Sequence, residues 1–98
     1  MMTRSISYHD ELITSLQEPS EAAMYLEVVL EEGDPLLIHK ALLNVIEAAR
    51  GLEGFSASFK TNFDRLTCQL QASGEIEFTR LQRLLAGLGL RVGLRVAS

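Results

Sequence analysis

Cysteine occurs once in this chain, at Cys68, so an intramolecular disulfide is excluded and so is a zinc site built on cysteines within one chain. Long apolar runs are missing as well. No stretch approaches the roughly 20 residues needed to cross a bilayer, and Met1-Met2-Thr3-Arg4-Ser5 lacks the apolar core of a secretory leader. A soluble cytoplasmic protein without membrane contact is expected. Aromatic side chains make up only 6% of 98 residues, while 47% are hydrophobic. That composition fits a single compact domain over residues 1–98, one that must bury nearly all of its few large side chains.

Positive charge is scarce in the first half. Residues 1–49 hold Arg4 and Lys40 against nine acids, a balance of −7, whereas residues 50–98 hold seven bases against four acids, a balance of +3. The overall charge of −4 argues against indiscriminate nucleic-acid binding. The segregation suits a protein that meets DNA on one side and a basic partner on the other; its plainer reading is a solvated surface.

The residues needed for catalysis are also thin. His9-Asp10-Glu11 gathers a base and two carboxylates, but no second histidine stands at metal-ligand spacing, and His39 belongs to a separate segment. Cys68 has Arg65 one helical turn away and no histidine partner. Gly87, Gly89 and Gly93 flank an extended segment rather than the start of a helix, which excludes a glycine-rich phosphate loop. No catalytic residue, metal or cofactor is expected, and the protein is read as a non-enzyme.

What is present is a series of helix punctuation marks. Pro19 suits a first helical turn and Gly33 a left-handed C-cap, with Ala22, Ala23, Leu26, Val29 and Leu30 forming an apolar face between them. Asp34-Pro35 starts the next helix, which buries Ile38, Ala41, Leu42, Val45, Ile46 and Ala49 and closes at Gly51. Ser56 predicts an N-cap for a short helix over Ala57–Lys60, Thr61-Asn62 a turn, and Phe63, Leu66 and Leu70 the stripe of a further helix that ends at Ser73-Gly74. The last helix is expected over Thr79–Ala86, with Phe78, Leu81, Leu84, Leu85 and Leu88 inward and Arg80, Gln82 and Arg83 outward, ending at Gly87 or Gly89. Leu90-Arg91-Val92-Gly93-Leu94-Arg95-Val96 alternates as a half-buried strand does. Its partner edge is open between Ile6–Tyr8, a second subunit and another protein. Arg91 and Arg95 lie on its polar face, where they either keep the edge soluble or meet a partner.

The run Tyr8-His9-Asp10-Glu11-Leu12, then Glu21-Ala22-Ala23-Met24-Tyr25-Leu26, Glu31-Glu32-Gly33-Asp34-Pro35, Ala48-Ala49-Arg50-Gly51 and Leu88-Gly89-Leu90-Arg91-Val92 resembles the HigA-like addiction-module antidote family over most of the chain. The resemblance implies a mainly all-α fold, a five-helix Cro/repressor-like helix-turn-helix domain with a short C-terminal β-strand. Within it, residues 1–50 would be acidic helices, 51–89 the helix-turn-helix region and 90–97 the strand. It implies an antitoxin of a type II toxin-antitoxin module that neutralises a RelE/HigB-like ribonuclease toxin and represses its own operon, as a homodimer on operator DNA. The chain departs from the family at the turn and loop around the reading helix, with Asn62-Phe63-Asp64-Arg65 and Gly74-Glu75-Ile76. Arg65 and Gln69 would read bases, and Lys60, Asn62 and Thr67 would contact phosphates. Glu27, Glu31, Arg91 and Arg95 would meet the protein partner. The alternative is a diverged interaction module that binds a toxin or other partner without sequence-specific DNA binding.

Overall fold

Backbone breakers set the element boundaries, and side-chain periodicity sets which face of each element is buried. The computed structural model describes residues 8–94. They form α1 (Tyr8–Leu16), α2 (Pro19–Glu32), α3 (Pro35–Ala49), one 3-10 turn (Leu52–Gly54), α4 (Ala57–Ser73) and α5 (Phe78–Gly87). The fold is all-α, with no strand among the described residues.

Pro19 opens α2, where its missing N–H costs nothing, and Gly33 closes it at φ 76°, a left-handed conformation that donates to the Val29 carbonyl. Asp34 caps α3 by accepting from the Leu36 amide at 3.0 Å. Helix α3 is the centre of the domain. It touches α1, α2 and α4, while α5 lies against α4. Ile38, Ala41, Leu42, Val45, Ile46 and Ala48 of α3 join Leu16, Ala22, Leu26, Phe59, Phe63, Leu66, Leu70, Leu81, Leu84 and Leu85 in one core cluster. Asn44 is buried within this surface, at 6% exposure, because its amide donates to the Tyr25 hydroxyl at 3.0 Å.

Five α-helices are present among the described residues, the number expected, but they divide the chain differently. Residues 8–16 form an unforeseen helix that packs Leu12, Ile13 and Leu16 inward, with Asp10 and Glu11 favourably placed in its first turn. Tyr8 is therefore helical, not part of a strand with Ile6, which lies outside the described residues. The expected turn at Thr61-Asn62 does not form, and α4 runs unbroken from Ala57 to Ser73. Phe59, Phe63, Leu66 and Leu70 recur at spacings of four, three and four, so a single straight helix buries all of them.

Three apolar assignments are also corrected. Ala23, Ala49 and Phe78 are exposed, the last because it stands at the first position of α5, before the buried stripe of Leu81, Leu84 and Leu85. At the other end of α5, Gly89 at φ 80° turns the chain, and the Leu90 amide donates back to the Leu85 carbonyl at 2.8 Å. The expected C-terminal strand is absent from Leu90–Leu94, which pair with no edge among the described residues; Arg95 and Val96 lie outside the described residues. No helix among the described residues is long and apolar enough to cross a membrane.

Gly87 is required by a close approach. A Cβ there would lie 2.7 Å from Cδ2 of the buried Phe59 ring. Gly87→Ala is expected to cost about 1–3 kcal/mol in urea unfolding as α5 is pushed off the ring. Gly93→Ala, with open space around it, should stay within about 0.5 kcal/mol of the parent. Equal stabilities for the two variants would contradict this packing.

Candidate nucleic-acid interface

The end of α3 begins a wall of stacked side chains. Gly51, at φ 75° and ψ 155°, adopts a backbone conformation open to glycine alone and donates to the Ile46 carbonyl at 2.9 Å. The 3-10 turn then carries the chain back so that Phe55 comes under Arg50, whose guanidinium carbon lies 4.9 Å from the ring centroid. This distance is within the range of a cation–π contact. Gly54 makes room for the arginine stem, since a Cβ there would meet Arg50 Cγ at 2.8 Å. Phe55 stacks in turn on Phe59, with centroids 4.1 Å apart and rings 16° from parallel. Phe59 abuts Gly87 of α5, so the layers extend from the end of α3 to the end of α5.

Ser56 caps α4 by accepting from the Phe59 amide at 3.1 Å. A second set of contacts fixes α5 against α4. Asn62 Nδ2 donates to the Arg80 carbonyl at 3.0 Å while Arg80 Nη1 donates to Asn62 Oδ1 at 3.0 Å. Arg80 Nη2 also reaches Glu77 at 3.3 Å. Gln69 Oε1 accepts from the Glu77 amide, the residue before α5.

These contacts leave an open groove of about 810 Å³ between the start of α4 and α5. Arg50, Arg65, Arg80 and Arg83 all line it, with no carboxylate in the lining. Arg80 is partly neutralised by Glu77. Arg50, Arg65 and Arg83 have no ion pair among the described residues. Uncompensated guanidinium groups around a concavity attract anions, and their planar forks match phosphate oxygens.

Of the residues expected to contact DNA, Asn62 and Arg65 line this groove, but Asn62 is committed to Arg80. Lys60 pairs instead with Glu53 at 3.8 Å. Thr67 is half-buried, with its hydroxyl oxygen shielded from solvent. At about 100° per residue, Lys60 and Thr67 stand about 140° and 160° around α4 from Arg65. One continuous helix therefore cannot present all three to the same ligand. Gln69 lies on the Arg65 side and is occupied by the Glu77 amide. Sequence reasoning missed Arg50, Phe55 and Arg83 as groove residues. The basic balance of the second half pointed to them collectively, without indicating which would converge.

Glu27, Glu31 and Arg91 are exposed, whereas Arg95 lies outside the described residues. His9 reaches Glu47 at 3.5 Å and His39 stacks on Phe63, so the two histidines do not share a site. Among the described residues no cluster of His, Cys, Asp and Glu is suited to hold a metal ion. No family model matches the chain, and no curated protein or solved structure is significantly similar to it.

The reciprocal Asn62 and Arg80 bonds should appear as energetic coupling. In a double-mutant cycle, Asn62→Ala and Arg80→Ala are expected to be non-additive by about 0.5–3 kcal/mol in chemical denaturation. Additive losses would mean that the pair does not join α4 to α5.

Proposed function

We propose that this protein is a DNA-binding antitoxin of a type II toxin-antitoxin module, which neutralises a RelE/HigB-like ribonuclease toxin and represses its own operon. The observation that carries the DNA-binding part is the convergence of Arg50, Arg65, Arg80 and Arg83 on one groove without a carboxylate, in a chain of net charge −4. Positive charge concentrated there localises a polyanion that the molecule as a whole would repel. The resemblance of the motif order to that of HigA-like antidotes supports the antitoxin part, as does the acidic first half, which suits a basic partner. In this reading α4 is the helix of a Cro/repressor-like domain presented to DNA, and a homodimer would place two such helices on successive major grooves.

The second reading is an interaction module that has given up sequence readout while still binding a toxin or another protein. The continuity of α4 and the internal engagement of Asn62 and Gln69 favour it.

Fluorescence anisotropy with duplex from this gene's own upstream region and with a scrambled duplex separates the two. If Arg65 reads a base, Arg65→Ala should weaken binding to the native duplex by about 1–3 kcal/mol and leave the scrambled duplex little changed. Lys60→Ala, turned away from the groove, should leave both nearly unchanged. Equal affinity of the parent for the two duplexes would contradict the sequence-reading account and favour the interaction module. For the partner, the double charge reversal Glu27→Lys with Glu31→Lys should abolish co-purification with a RelE/HigB-like toxin while retaining the helical circular-dichroism spectrum. Retained capture would contradict the acidic-face assignment.

A further inference from the structure

Arg50 stands at the C-cap of α3, exposed to solvent and outside every element, yet its side chain is held in place. Its stem rests against the backbone of Gly54, its guanidinium covers Phe55, and Phe55 is fixed by its stack on Phe59. Long cationic side chains at a surface ordinarily lose rotamer entropy when they bind, and a guanidinium already docked on an aromatic face loses less. No carboxylate among the described residues neutralises it, and the same groove presents Arg65 and Arg83.

We infer that Arg50 is a pre-positioned phosphate clamp, which with Arg83 holds a phosphodiester of a nucleic-acid backbone at this groove. The inference rests on the proposed DNA-binding reading and adds the residue that grips without reading sequence. Arg50 supplies a paired N–H fork, Phe55 orients it, and Gly54 permits the arrangement. A phosphate contact of this kind carries no base preference; it sets affinity, register and salt dependence.

The test compares the parent with Arg50→Ala, Gly54→Ala and Lys40→Ala, the last an exposed cation that does not line the groove. Duplex affinity is measured by anisotropy at several salt concentrations, with circular dichroism confirming the fold of each variant. Separately, inorganic pyrophosphate is titrated into the labelled full chain while arginine Nε–H resonances are followed.

Loss of one phosphate contact should reduce the magnitude of the slope of log K against log salt by about one, for native and scrambled duplexes alike. Between about 50 and about 200 mM salt, that makes the parent's loss of affinity exceed the variant's by roughly 3.5-fold. Gly54→Ala should move in the same direction with the charge intact, and Lys40→Ala should keep the parent slope. A parent that binds duplex with an Arg50→Ala slope identical to its own overturns the clamp and leaves the DNA-binding reading standing. A parent that ignores duplex while pyrophosphate shifts the Arg50 and Arg83 resonances supports the clamp as a phosphate site and overturns the DNA-binding reading. Silence in both titrations overturns both.

Discussion

Burial of α3 on several sides at once is the constraint on which the rest of this molecule depends. From Asn44 round to Ile46, its buried positions sweep about 200° of the helix circumference, a wider arc than one neighbour covers. Helices α1 and α2 take part of that arc and α4 takes another. The Asn44 amide, satisfied by Tyr25, fixes how α2 meets α3 in a way that aliphatic contacts alone do not. With α4 held against α3, the short turn after Gly51 must bring Phe55 onto Phe59, and Arg50 is placed over the ring as a consequence.

The parts of this arrangement readable from sequence are those decided within a few residues. Pro19, Gly33, the Asp34-Pro35 pair, Ser56 and Gly74 each act on the backbone beside them, and each stands at a helix boundary. Elements decided by distant contacts were not readable. Helix α1 is only nine residues long and owes its stability to packing against α3 rather than to its own propensity. Asn62 suggests a turn because its side chain can compete for nearby backbone groups; here Arg80, eighteen positions away, occupies that side chain, and the helix continues. The alternation after Leu90 resembles a strand, yet a strand forms only against another edge, and the described residues supply none to Leu90–Leu94.

The candidate site divides along the same line. Arg65 was identifiable as an exposed cation on a helix, while Arg50 and Arg83 enter the groove only through the docking of α3, α4 and α5. By sequence, Lys60 and Thr67 are phosphate contacts beside a base-reading Arg65 and Gln69. On one unbroken helix Lys60 and Thr67 face away from Arg65, and Gln69, on the Arg65 side, becomes a support for the start of α5. Charge segregation thus gains a geometric meaning in the basic half, which supplies a groove without carboxylates, while the acidic half is the surface that the proposed reading assigns to a basic partner. Under the proposed reading, these are the two surfaces an autorepressing antitoxin needs.

Hydrogen exchange of the full-length protein with and without duplex from its own upstream region, at low salt, tests the central claim most directly. The account predicts slowed exchange in peptides covering residues 50–65 and 79–88, which carry the groove, with α2 unchanged. Protection confined to α1 and α2, or none anywhere under conditions that favour electrostatic binding, would contradict it.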